Sequence, residues 1–198
     1  PAGDWFRRYW LVVGTGKELQ DIPQTVKVLG EELVLFRDES GNLGLLGLYC
    51  PHRGSSLEYG DIEDGGLRCP YHGWLFNVGG QCMEMPAEPK DSQFPQKVKH
   101  LSYPVKELGG LIFAYLGRDQ AGPPPLPKYR ALADTAGQRS LEATRVYDYN
   151  WFNFIENGAD PAHFSILHRA DPDDGTWRSW FFNFKDIPYF DAIETAYG

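Results

Sequence analysis

The sequence predicts an α+β chain: an N-terminal all-β domain over residues 1–121, a proline-rich connector at 122–130, and the opening of an α+β domain over 131–198. Three observations predict it. Short apolar or β-branched runs alternate with turn residues through the first 120 positions. Four prolines then fall within Gly122–Pro127. After them, an aromatic-rich stretch precedes an Asp-Pro pair with helix-start chemistry.

In chain order, Tyr9–Val13 and Glu32–Phe36 have strand length and composition. Asp38-Glu39-Ser40-Gly41-Asn42 separates the latter from Leu43–Tyr49, a hairpin signal. Asn77–Gln81 is a second turn of that kind, and Leu111–Leu116 is another strand. Strands at this spacing suit a small sandwich or barrel. The prolines lack amide donors and have a fixed φ, so they favour an extended connector. Beyond it, Leu141–Tyr149 reads as a strand and Asn150–Asn157 as a buried helix stopped by Gly158. Asp160 reads as the N-cap of a further helix reaching about His168, with Pro161 at its first position.

Composition narrows the function. Apolar content of 42% in 198 residues supports a core. With 22 Gly and 15 Pro, many turns are expected and an all-helical bundle is not. The net charge of −8 argues against nucleic-acid binding, which needs a basic face. No apolar run reaches membrane-span length, and no signal peptide opens the chain. Three cysteines cannot build a disulfide framework, so a reducing, cytoplasmic setting is expected. Cys82 reads as a small buried thiol.

The informative residues are Cys50-Pro51-His52 and Cys69-Pro70-Tyr71-His72, with sixteen residues between the halves. Two thiolates and two imidazoles bind metal in two main ways: a mononuclear tetrahedral zinc, or a two-iron cluster with two Cys on one iron and two His on the other. Each half pairs one Cys with one His on a tight loop. Proline follows each cysteine, and Gly54 and Gly73 sit just beyond the histidines, which allows sharp turns and close approach. These details favour the cluster over a zinc knuckle.

The two halves, extended by Arg53-Gly54 and Gly73-Trp74, resemble the Rieske [2Fe–2S] signature. The resemblance implies that Cys50 and Cys69 hold the buried iron and that His52 and His72 hold the outer one, near the surface. Neutral imidazoles raise the potential above that of all-cysteine clusters. No fourth cysteine is available for the extra disulfide of respiratory Rieske proteins, which points toward the oxygenase or ferredoxin branch.

A ferredoxin of this type would end near residue 120. Here Asn157, Asp160, His163 and His168 interrupt an apolar stretch, where polar groups are costly unless paired or metal-bound. Asn157, Asp160 and His163 step by three and could stripe one helix face. His163 and His168 lie about 140° apart on an ideal helix, so joint coordination needs a distorted turn or a ligand at a helix end. The bland reading makes Asp160 a helix cap and the two histidines core residues.

Together with the upstream motif, this pattern resembles the catalytic domain of Rieske non-haem iron oxygenases, in their phthalate-dioxygenase-like group, whose chains also carry an element like Arg8-Tyr9-Trp10. The resemblance implies a helix-grip-like catalytic domain and a mononuclear Fe(II) bound by His163 and His168. Asn157 would lie near that iron. Asp160 would bridge to His72 of a neighbouring subunit in a head-to-tail homotrimer. It also implies O₂ and a small aromatic substrate, with hydroxylation or oxidative demethylation as the reaction. Electrons would come from NAD(P)H through a separate reductase or ferredoxin, since no dinucleotide fingerprint occurs in the chain. The family's third ligand, an aspartate, would fall beyond residue 198. None of Asp171, Asp173, Asp174, Asp186 and Asp191 matches it, and Asp171–Gly175 reads as a solvated turn. With no initial methionine and no third ligand, the chain is expected to be one complete Rieske domain plus the start of a catalytic domain.

Two features bear on substrate. Trp151, Phe152 and Phe154 read as core residues, with an aromatic pocket as the alternative. Arg145, Arg169 and Arg178 read as surface arginines, with carboxylate recognition as the alternative. The competing expectation for the whole chain is a Rieske-type electron-transfer protein with no oxygenase activity of its own.

Overall fold

The structure is a computed structural model. It describes residues 2–117, 122–136, 138–140, 147–169, 171, 173, 175–176 and 189–194. The chain divides into two compact units, Pro1–Gln138 and Arg139–Gly198.

Unit 1 opens with helix α1 (Ala2–Phe6), followed by ten short strands: β1 (Trp10–Thr15), β2 (Gln24–Val28), β3 (Glu31–Arg37), β4 (Leu43–Gly47), β5 (Asp61–Glu63), β6 (Gly66–Arg68), β7 (Leu75–Asn77), β8 (Cys82–Glu84), β9 (Val105–Leu108) and β10 (Leu111–Tyr115). They form three antiparallel sheets of order β1-β10-β9, β2-β3-β4 and β5-β6-β7-β8. Among the described residues the unit also holds a 3-10 turn at Leu57–Tyr59 and the short helices α2 (Phe94–Lys97) and α3 (Arg130–Ala133).

The middle sheet explains the unbroken apolar run of β3. Leu33 and Leu35 enter one core with Leu19, Leu45, Tyr103, Ile112 and Leu116. Val34 and Phe36 enter a second core with Leu46, Leu57, Leu67 and Phe76. Successive side chains of a strand point to opposite faces, so a strand buried on both sides is apolar throughout. The turn after β3 is held by Asp38, whose carboxylate accepts from the amides of Ser40 and Asn42 at 3.0 and 2.7 Å. Phe36 is fully buried and pairs in register with Gly44, where its ring occupies the space a Cβ would need. Phe36→Ala is expected to cost about 3–5 kcal/mol of stability through lost burial and an unfilled cavity, readable as a lower urea midpoint at unchanged slope.

His100 ties two sheets together. Its Nε2 lies 2.8 Å from the Gly47 carbonyl, and its ring packs on Phe76 with centroids 5.2 Å apart. Burial lowers its pKa, partly offset by the bond to Gly47. The unfolded chain therefore takes up this proton first as pH falls. Stability is expected to drop from about pH 6.5 downward through the lower folded pKa. His100→Gln removes that component, so urea midpoints of wild type and variant should diverge between pH 8 and pH 5 in their pH slope. Parallel slopes would count against it.

The proline connector and α3 pack within unit 1: Trp10 Nε1 donates to the Pro124 carbonyl at 2.9 Å, and Gly109 lies against Leu132 of α3.

Unit 2 contains α4 (Trp151–Ala159) and α5 (Phe164–Leu167). Asn150 caps α4, its side chain accepting from the Phe152 amide. Several expectations are corrected here. Gly158 does not stop α4, which runs on to Ala159 with Asp160 as C-cap, because a single glycine lowers helix propensity without breaking the hydrogen bonds. Asp160 does not begin a helix; α5 starts after His163 and lasts only four residues. The helix is also not buried. Trp151, Phe152, Phe154 and Ile155 are each more than half exposed. Among the described residues unit 2 has no strand. Of the expected strand Leu141–Tyr149, residues 141–146 lie outside the described residues and 147–149 are irregular.

Candidate functional site

The two Cys-His segments form matching loops. The first follows β4 and is closed by a bridge between Tyr49 and Ser56. The second is the connection between β6 and β7. In each, the cysteine carbonyl accepts from the amide four residues on: Gly54 to Cys50 at 2.8 Å, Gly73 to Cys69 at 3.0 Å. Each cysteine amide donates to the carbonyl five residues on, Cys50 to Ser55 at 2.8 Å and Cys69 to Trp74 at 2.9 Å. Both glycines are left-handed, with φ of 69° and 73°. A left-handed residue is needed to fold so short a loop back on its cysteine, and glycine adopts it without steric cost.

The donors sort into a sulfur pair and a nitrogen pair. Cys50 and Cys69 are buried in one core and close enough to interact as thiols. Burial and the Cys69 neighbour push the Cys50 thiol up to about 11, while the amides of His52 and Arg53, aimed at its sulfur, pull it down. His52 and His72 lie outside, with ring centroids 4.7 Å apart. Desolvation, then the nearby His72 and Arg53, lower the His52 pKa. No three His, Cys, Asp or Glu side chains among the described residues gather as they would around one ion. A tetrahedral zinc needs four converging donors; an inner thiol pair and an outer imidazole pair instead fit a binuclear cluster.

Two neighbours escape sequence reasoning. Trp74 stacks on His52 at 4.5 Å and 3°, and meets Phe94 edge-on at 6.2 Å. Arg68 donates to the Gly73 carbonyl at 2.7 Å. Trp74 is in the motif, but nothing in the spacing says which ring it meets. Arg68 carries no signal beyond its position before Cys69. Cys82 is buried, its thiol 3.4 Å from the Glu84 carbonyl, and all three cysteines are free.

In unit 2, the expected stripe of Asn157, Asp160 and His163 is broken, because α4 ends before Asp160. Asn157 is exposed on its last turn. Asp160 still reaches His163, with Oδ2 3.6 Å from Nδ1, and its Oδ1 accepts from the Ala162 amide at 2.8 Å. His163 and His168 flank α5 as its two caps, with ring centroids 5.2 Å apart. Placing both at helix ends removes the angular conflict of a continuous helix. His163 is 14% exposed, and neither of its buried ring nitrogens has a hydrogen-bond partner. Such nitrogens are costly to bury unless a metal takes one. The residues therefore fit an iron, with His163 and His168 as candidate donors.

Trp151 and Phe154 line a groove of about 360 Å³ with Tyr147, Tyr149 and Ile155, so they are not core. Arg169 is exposed, and Arg145 and Arg178 lie outside the described residues. Asp171 and Asp173 form an exposed turn through a 3.0 Å side-chain bond. Among the described residues no helix is long and apolar enough to cross a membrane.

Comparison with known proteins agrees with this geometry. Residues 9–106 match the model of the Rieske [2Fe-2S] domain. The chain is 42% identical, over 85% of its length, to the tert-butanol monooxygenase / tert-amyl alcohol desaturase oxygenase subunit of Aquincola tertiaricarbonis, covering 36% of that protein. It is 37% identical, over its whole length, to the phthalate 4,5-dioxygenase oxygenase subunit of Pseudomonas putida, covering 47% of it. The crystal structure of dicamba monooxygenase bound to dicamba superposes with a TM-score of 0.72 at 32% identity, over 83% of this chain and 49% of that one. The chain thus spans less than half the length of these proteins. With two matched Cys-His loops inside the matched region, this chain carries a domain of the Rieske [2Fe–2S] family over residues 9–106, and its similarity to oxygenase subunits continues beyond it.

Proposed function

We propose that the protein is the oxygenase component of an O₂-dependent system, and that Cys50 and Cys69 hold the inner iron of a Rieske cluster while His52 and His72 hold the outer one. The observation that carries the reading is a second, separate histidine pair in the same chain: His163 and His168 at the two ends of α5, one with buried, unpartnered ring nitrogens. When bound, the cluster supplies single electrons and the mononuclear Fe(II) activates O₂. The chain's own part is placement. The loop amides face the Cys50 sulfur, Trp74 holds the His52 ring, and Asp160 sits beside His163. Asp160 is half-exposed and His72 is exposed, which suits a bridge from Asp160 to the His72 of another copy in a head-to-tail trimer. Asn157 would lie near the iron.

Electrons would come from NAD(P)H through a reductase or ferredoxin, in the cytoplasm. An aromatic substrate, hydroxylated or demethylated, is supported by the phthalate and dicamba relatives and by the aromatic groove at residues 147–155. The relative named for tert-butanol makes an aliphatic alcohol the other outcome of a substrate screen.

Iron content tests the reading. In the protein expressed at its full encoded length, iron beyond the cluster's own should amount to about one per chain, survive desalting, and vanish in His163→Ala and His168→Ala while the Rieske signal persists. No third iron in wild type, or one indifferent to both substitutions, favours a pure electron carrier.

A further inference from the structure

We propose that Arg68 is a positioning residue for the second ligand loop and that, with Glu63, Asp64 and Glu84, it sets the reduction potential of the cluster; this rests on the cluster reading above. Arg68 ends β6, directly before Cys69. Its side chain is 18% exposed and spends its fork on four acceptors. Nη1 donates to the Gly73 carbonyl at 2.7 Å, Nη2 to Glu84 at 2.8 Å and Asp64 at 3.3 Å, and Nε to Glu63. One guanidinium thus faces three carboxylates, a local charge of 1 − 3 = −2.

Among the described residues no arginine tethers the first loop in this way. Its residue before Cys50 is the half-exposed Tyr49, which donates to Glu32. The second loop is therefore pinned from one side by one arm of a planar fork whose other donors are held by carboxylates, an arrangement that an ammonium cannot imitate. Turning the Gly73 carbonyl toward Arg68 fixes the backbone that carries His72 and Trp74. The same group adds one positive charge among three negative ones beside the cluster. Negative charge opposes the incoming electron and lowers the potential; the guanidinium offsets it.

The test is redox titration of the protein at its full encoded length, followed by EPR. Arg68→Met should shift the midpoint negative and broaden the signal. Glu84→Gln, at a half-exposed position that tolerates change, should shift it positive. Arg68→Lys should keep the midpoint nearer wild type than Arg68→Met does. A purely structural role would change cluster yield but not produce shifts of opposite sign. If Arg68→Met fails to load, Glu84→Gln and Glu63→Gln decide, and both must move positive. Loaded variants with unmoved midpoints, a loaded Arg68→Met that shifts in the same direction as Glu84→Gln, or a negative shift in Glu84→Gln or Glu63→Gln overturn the proposal. A wild-type chain without a Rieske signal overturns the cluster reading itself, a distinct result.

Discussion

A Cys69→Ser chain is expected to purify colourless, without Rieske absorbance and without an EPR signal after dithionite. Cys69 is 3% exposed and shares its core with Cys50. Together they supply the only two sulfurs of the pair that holds the inner iron in the proposed cluster. A serine hydroxyl is a hard, weakly acidic donor and does not replace a thiolate there. The fold should survive, since one buried hydroxyl costs about 1–3 kcal/mol when poorly paired. Cys82→Ser is the control. Cys82 is equally buried, but its thiol faces the Glu84 carbonyl. A hydroxyl can keep that contact, and the cluster should load normally. Colour lost from both variants would mean that general core damage, not ligation, explains the first result.

The second large effect separates the two glycines that close the ligand loops. Both are left-handed, so any side chain costs about 1–2 kcal/mol in backbone strain. Their surroundings differ. A Cβ on Gly54 would meet nothing within 4 Å, whereas one on Gly73 would lie 2.9 Å from Cγ of Pro86. Gly73→Val should therefore lose most of its cluster, because the loop must move to clear Pro86, taking the Gly73 carbonyl off Arg68. Gly54→Val carries the strain alone and should retain most of it. Iron per chain after anaerobic purification reads the difference. Equal losses would show that backbone strain, not packing on Pro86, dominates.

Much of the ligand geometry is legible in the sequence because it is local. A Cys, a His and a glycine within five residues define a loop closed by its own hydrogen bonds, and both loops take that form. The hairpins at Asp38–Asn42 and Asn77–Gln81 are legible for the same reason, as is the apolar run of β3. What escapes depends on distant or orienting contacts. Arg68 looks like any residue ending a strand until Gly73, Glu63, Asp64 and Glu84 are folded around it. Trp74 could have met either imidazole, and the fold decides for His52. In unit 2 the helical spacing misleads. Periodicity carries Asn157, Asp160 and His163 along one face, but Asp160 takes an extended conformation and the helix ends. The aromatic residues of α4 look like core because their spacing is that of core helices; burial needs a second layer, and a helix's own sequence does not reveal it.

The measurement closest to the central claim is iron and acid-labile sulfide per chain, combined with EPR of the dithionite-reduced protein. The account predicts about two irons and two sulfides for the cluster, with a Rieske-type signal that disappears in Cys69→Ser. One tightly bound zinc, no labile sulfide and no signal would contradict it.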